Sequence, residues 1–159
     1  MMGEALRTTM TADRARELLA AIDGVSVDAG ASPIVVRVPA AQWRDVARVA
    51  KDTLGCAFFN FETAIDWKAD GLELVAWVDN LDANFAVQMR TKLGPGVTTC
   101  PSLVPVYRGA GWMERECYDM FGVTFDGHPD LRRILLADDW EGHPLLKSYA
   151  VDTPHPPYR

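Results

Sequence analysis

Cysteine is scarce in this chain, and what there is does not pair. Cys56, Cys100 and Cys117 are odd in number, widely spaced and without a Cys-x-x-Cys motif, so reduced thiols are expected rather than a disulfide framework. No apolar run approaches the ~20 residues that span a bilayer. Met1-Met-Gly-Glu-Ala-Leu-Arg7 has neither the apolar core of a signal peptide nor an acid-free transit stretch. A soluble, cytoplasmic chain is expected. Positive charge is also short: 16 Lys and Arg stand against 22 Asp and Glu, for a net charge of -6. That argues against a surface for nucleic acid or anionic membrane, both of which need clustered Lys and Arg. There is no phosphate loop, no serine elbow around Ser102 or Ser148, no repeat and no low-complexity tract.

What is present suits a single domain. A length of 159 residues, 48% hydrophobic and 24% charged, lets one domain bury ~68–70% of the surface its unfolded chain exposes. Thr11 is placed to cap a helix in which Ala15, Leu18, Leu19 and Ile22 form one stripe, ending before Gly24. Pro33-Ile-Val-Val-Arg-Val38 reads as a strand. Trp43, Val46, Ala47, Ala50 and Leu54 return to helical spacing, stopped at Gly55. From Cys56 to Trp67 the period becomes two, which puts Phe59, Phe61, Thr63, Ile65 and Trp67 on one face and Asn60, Glu62 and Asp66 on the other. Asp70-Gly71 marks a turn. Leu72 to Val78 is apolar on both faces, like an interior strand. Phe85, Val87 and Met89 alternate with Gln88 and Arg90 in a further strand, closed by Gly94-Pro-Gly96. Tyr107 to Phe121 is helical again, with Gly122 at the position after the helix.

The expected fold is α+β: a two-layer sandwich with a mixed sheet of four to five strands, two to three helices on one side, and an extended C-terminal arm. Residues 1–122 make the α+β domain and residues 123–159 the arm, as part of the same domain. Five of the ten prolines lie between Pro129 and Pro157 and no apolar period survives there. The arm is therefore expected to run extended and to pack on partner polypeptides.

The densest run of chemistry-bearing residues is Gly111-Trp-Met-Glu-Arg-Glu-Cys-Tyr-Asp-Met-Phe-Gly122, followed by Phe125-Asp-Gly-His-Pro-Asp-Leu-Arg-Arg-Ile-Leu135 and Asp139-Trp-Glu-Gly-His-Pro-Leu145. On a helix, Met113, Cys117, Met120 and Phe121 line an apolar stripe. Trp112, Glu116 and Asp119 follow another, with Arg115 four residues before Asp119. Glu114 and Glu116 are two apart and point away from each other, so they are not an acid–base pair. Three readings are open: a surface helix with intrahelical ion pairs, a catalytic helix, and an interface. The interface is favoured because Trp, Tyr, Met and Arg are enriched at buried contacts.

Arg132 and Arg133 offer planar forks to carboxylates on a partner or on Glu114, Glu116 and Asp119. Alternation along an extended segment sends one to brace the domain and the other outward. A metal held by Cys117, His128, His143 and His155 has against it intervals of 11, 15 and 12 residues, with none of the close ligand pairs of zinc sites. His128 and His143 precede prolines, and a ring nitrogen bonded to a carbonyl in each Gly-His-Pro bend is the expected use. Cys117, on the apolar stripe, is expected to be a buried, inert thiol. The rival from another class is a free-standing enzyme using Cys117 with His128 or His143.

The stretches Trp112 to Val123, Gly127 to Leu135 and Asp139 to Leu145 closely resemble the 30 kDa subunit family of complex I, the bacterial respiratory NADH:quinone oxidoreductase. The resemblance is specific through about residues 101–147, and the first hundred residues fit in pattern only. It implies a non-catalytic scaffold in the peripheral-arm quinone module of a proton-translocating complex, supporting electron transfer from NADH to quinone. It implies no cofactor or metal in this chain, with iron–sulfur clusters, FMN and quinone in the assembled complex. The implied partners are the large hydrogenase-like subunit of the quinone site and the small iron–sulfur subunit. The implied place is the cytoplasmic side of the inner membrane, peripheral and held through those partners. Contact roles fall on Trp112, Glu114, Arg115, Glu116, Asp119, His128, Asp130, Arg132, Arg133, Trp140 and His143, none of them catalytic. Relatives of this family also occur in membrane-bound hydrogenase complexes and in complexes fed by other electron donors. After Gly142-His-Pro144 the family commonly continues Leu-Arg-Lys-Asp, where this chain has Leu145-Leu146-Lys147-Ser148.

Overall fold

The computed structural model describes residues 10–30 and 32–152. His155, the Pro154–Tyr158 stretch and the N-terminal Met1–Arg7 lie outside them. Helix α1 (Ala12–Ala20) starts at Thr11, whose hydroxyl accepts the Arg14 N–H at 3.2 Å, satisfying one of the donors a helix start leaves free. Its buried residues, Ala15 and Leu19, face strands β1 (Ser26–Val27) and β2 (Ile34–Arg37). Helix α2 (Trp43–Arg48) continues into a wider π turn over Val49–Thr53. Trp43, Val46, Ala47, Ala50 and Leu54 are all buried. Truncating a fully enclosed indole such as Trp43 costs about 3–5 kcal/mol.

The main sheet adds β3 (Phe58–Asp66), β4 (Leu72–Asn80) and β5 (Phe85–Gly94) in the order β1-β2-β5-β4-β3. Strands β2 and β5 run parallel and the other neighbours antiparallel, so the sheet is mixed, as expected. Helix α3 (Ala110–Phe121) packs on β3 and ends at Gly122, whose φ of 74° favours glycine. Leu72, Leu74, Ala76 and Val78 of β4 carry the inner face towards the helices. On the outer face Phe61 and Trp77 stack at 6.0 Å, half-exposed.

The structure departs from the expected pattern at four places. Phe59 does not share a face with Phe61. A bulge at Asn60 sets Phe59 opposite Val78 on the inner face and Phe61 opposite Trp77 on the outer one, because an extra residue shifts the alternation by one. Phe59 instead stacks with Tyr107 at 5.1 Å. Strand β1 and a small parallel sheet of β6 (Thr99–Pro101) with β7 (Thr124–Asp126) are too short to show a period. Helix α3 starts at Ala110 rather than Tyr107, since residues 103–107 form turns through Val106 N–H and Tyr107 N–H to the Leu103 carbonyl. Finally, Arg115 does not pair with Asp119 along the helix; both side chains reach the segment that follows β7.

That segment, residues 127–152, holds neither helix nor strand. It runs in turns over its own domain, with Leu131 and Leu146 against the core. Leu146, where the family pattern has arginine, thus packs on apolar neighbours.

Candidate functional site

The motif helix is fixed to the domain by its buried acids. Glu114 is 0% exposed, and its carboxylate accepts the Ser102 hydroxyl at 2.6 Å and the Leu103 N–H. Burial pushes it up to about 7, against the pull of those two donors. Arg44 of α2 closes the same corner, donating to the carbonyls of Ser102 at 2.7 Å and Asp126 at 2.6 Å.

Asp119 organises the arm. Its Oδ1 accepts Arg133 Nη1 at 2.7 Å, and its Oδ2 accepts the consecutive N–H groups of Ile134, Leu135 and Leu136 at 3.1, 2.8 and 3.0 Å. Burial alone would raise this carboxyl, but the three N–H groups and the guanidinium hold it below the usual carboxylate range. Arg133 also donates to the carbonyls of Trp140 and Gly142. His143 Nδ1 lies 2.9 Å from the Asp119 carbonyl. Its ring sits where a Cβ on Gly122 would be, 2.8 Å away. His128 Nε2 lies 2.9 Å from the Gly111 carbonyl while its Nδ1 accepts the Asp130 N–H, an arrangement that assigns the Nε2–H tautomer. Both histidines therefore hold Gly-His-Pro bends in place, as their prolines led one to expect. Farther along, Asp66 accepts the Lys147 N–H at 2.7 Å and pins the arm to the end of β3.

The outward side of this region is different. Trp112 is 68% exposed with Arg115 over its ring at 5.6 Å, and Glu116 is exposed beside it. Arg132 points out and pairs with exposed Asp130 at 2.9 Å, while Arg133 braces the fold. Of the eight large exposed hydrophobic residues among those described, four (Trp112, Leu135, Leu145 and Val151) belong to α3 and the arm. A cleft of about 580 Å³ opens where the arm meets the sheet end, lined by Leu72, Val97, Phe121 and Leu146, with Lys68 and Lys147 at its walls.

Of the eleven interface candidates, then, Trp112, Glu116, Asp130 and Arg132 present their side chains outward. Glu114 and Asp119 are buried, their carboxylates bonded to Ser102 and Leu103 and to Arg133 and residues 134–136 respectively. Arg115, His128, Arg133 and His143 are part-buried and tie arm to helix, and part-buried Trp140 accepts from Arg133 through its carbonyl within the arm. Cys117 is buried and burial pushes its thiol up, and both histidine rings bond to carbonyls, so no thiolate–imidazole pair is assembled among the described residues. Nor do those residues contain a group of three or more His, Cys, Asp or Glu placed to hold a metal ion, or a helix long and apolar enough to cross a membrane. Sequence reasoning missed Glu62, Arg44 and the Asp66–Lys147 tie. In the sequence Glu62 shared a face with Asn60 and Asp66, so nothing there marked it as buried.

A family model described as the 30 kDa subunit of respiratory-chain NADH dehydrogenase matches residues 36–155. The C subunit of NADH-quinone oxidoreductase from Rhodobacter capsulatus is 36% identical over 131 residues, covering 80% of this chain and 65% of the relative. The same-named protein of Salinispora arenicola is 39% identical over 136 residues, covering 82% and 55%. The chain thus spans 55–65% of the length of these relatives. Among solved structures, a trypsin-resistant fragment of Nqo5 superposes with a TM-score of 0.65 at 22% identity, covering 75% of this chain and 98% of the fragment. A chain of an archaeal membrane-bound sulfane sulfur reductase, a respiratory membrane complex, gives 0.66 at 25% identity over 80% of this chain and 76% of its own.

Proposed function

This chain belongs to the 30 kDa subunit family of respiratory-chain NADH dehydrogenase, and on that premise we propose that it is a non-catalytic scaffold subunit of a proton-translocating NADH:quinone oxidoreductase. Its work is placement: it holds the large hydrogenase-like quinone-site subunit and the small iron–sulfur subunit in fixed relation, while FMN, clusters and quinone in neighbouring subunits carry the electrons. It sits on the cytoplasmic side of the inner membrane through those partners. The domain of residues 1–122 supplies the rigid body, and residues 123–159 the arm that meets the partners.

The observation that carries this reading is the division of labour in the motif region. Its inward acids and arginines are used up in fixing α3 and the arm, while Trp112, Glu116, Arg132, Leu135 and Leu145 are left outward. Aromatic and arginine side chains set on a rigid support are what a protein–protein contact requires. The test is recovery of the assembled complex from cells that carry Trp112→Ala or Glu116→Ala in this chain, with mass spectrometry of what copurifies. Loss of the neighbouring subunits with a normally stable free chain supports docking. Full recovery of the complex with both substitutions refutes it.

A second reading keeps the scaffold and changes the complex, since the archaeal sulfane sulfur reductase chain shares this fold at equal superposition. Identifying the donor oxidised by the intact complex decides between them.

A further inference from the structure

Glu62 sits midway along β3 on the inner face, 4% exposed, and neither carboxyl oxygen meets a hydrogen-bond partner among the described residues. The Trp43 indole from α2 lies near enough to favour charge on Glu62, yet its Nε1 also lacks a bond. An ionised carboxylate so placed would lose its hydration with no donor in return, whereas the acid form loses far less. Glu114, facing it from α3, is the opposite case: its oxygens already accept two donors, which suits charge. Two acids across one helix–strand contact oppose each other's ionisation.

The other groups around the pair are few. Arg44 from α2 favours charge on Glu114. His128 from the arm brings Nε2 to 4.0 Å from Glu114 Oε2. Cys100 of β6 and Cys117 of α3 are buried thiols that feel both acids, and exposed Glu116 adds a distant negative charge on α3. From β3 itself the Glu62 N–H donates to Met113 Sδ at 3.0 Å.

We propose that Glu62 is carried as the uncharged acid at neutral pH and that, with Glu114, it forms a proton-dependent latch seating α3 on β3. Ionising Glu62 would place a second negative charge in the dry contact, and parting the helix from the strand relieves it. The direction agrees with the surroundings. Burial first, then the Glu114 charge, raises Glu62 well above the usual carboxylate range, and burial brings Glu114 to about 7. Both acids hold protons more tightly folded than unfolded. The stability that the two acids contribute is therefore complete below the unfolded value of about 4.3 and is lost as pH rises through about 7 for Glu114 and through the raised folded value of Glu62. Each group, while linked, changes the unfolding constant by about tenfold per pH unit. The latch is a property of the domain and does not rest on the docking role.

The experiment is denaturant unfolding of the full chain at intervals between pH 5 and 9, for the native sequence, Glu62→Gln and Glu62→Met. The native chain should become easier to unfold with rising pH, and either variant should flatten that dependence by about tenfold per pH unit where Glu62 is linked. The slope decides, so an absolute loss of stability in a variant does not confuse the result. Side-chain carboxyl ¹³C shifts of the native chain provide a reading that needs no variant, with Glu62 expected protonated at pH 7. Superimposable slopes, or a Glu62 carboxyl ionised at pH 7 in the folded chain, overturn the proposal.

Discussion

Removing Asp119 should release the arm while leaving the sheet formed. Its carboxylate is fully buried and gathers one guanidinium and three successive backbone N–H groups. In Asp119→Ala the Arg133 charge, only 14% exposed, is left without its counter-charge. Breaking a buried pair by deleting one partner costs about 3–5 kcal/mol. The three N–H groups carry penalties of about 1–3 kcal/mol each if they stay dry. Leu135 is 63% exposed, however, so water reaches this turn once it loosens, and the pair term sets the scale. For a chain of this size, about 2–4 °C of melting temperature follows each kcal/mol, which makes the expected fall roughly 6–20 °C. Asp119→Asn, keeping one carbonyl acceptor, should lose less. The assay is thermal unfolding combined with limited proteolysis, because residues 127–152 should become cleavable well below the global transition. An Asp119→Ala chain melting within about 2 °C of the native one, with its arm equally protected, would refute the reasoning.

Other outcomes follow from the same contacts. Arg133→Ala should lose a similar amount in the free chain, and the double variant with Asp119→Ala should lose much less than the sum, a coupling read from a double-mutant cycle. Trp112→Ala and Glu116→Ala, by contrast, should change the free chain's stability by no more than about 0.5 kcal/mol, measured by denaturant unfolding. Gly122→Ala should cost about 1–2 kcal/mol for the left-handed backbone, and it should displace the His143 ring, visible as changed chemical shifts of that imidazole. On acidification, Asp66, Glu73 and Asp119, all held below their ordinary values, supply stability present above about pH 4 and lost as pH falls through their folded values. Melting curves from pH 5 down to 2 should show this, with a shallower fall in Asp119→Asn.

The layout was legible because its elements are long and periodic. The α1 stripe, the Trp43-to-Leu54 helix and the alternation of Phe85, Val87 and Met89 each repeat often enough to fix a face. What escaped was too short or too non-local. Strands of two or three residues have no period, and the bulge at Asn60 leaves nothing in composition to betray it. In the motif helix the spacing placed Arg115 near Asp119, yet each found a partner 14 to 18 residues away. A helical ion pair at a surface contributes about 0.3–0.5 kcal/mol, less than a buried carboxylate gains from a guanidinium and three N–H groups. The arm likewise looked as though it lacked an anchor, because its anchors are polar and sit on other elements.

One uncounted residue lets Phe59 and Phe61, two apart, lie on opposite faces. Before the extra position at Asn60, Phe59 turns inward to the ring of Tyr107, whose hydroxyl in turn donates to the Cys56 carbonyl at 2.8 Å. Deleting Asn60 would leave a smoother strand in which Phe59 still meets Val78 and Phe61 still meets Trp77, because those two already face consecutive residues of β4. A one-residue gap at position 60 should therefore be tolerated, since it removes only the unpaired residue, whereas the same gap at Ala64, within the regular ladder, would force the aromatic residues before it to seek new partners.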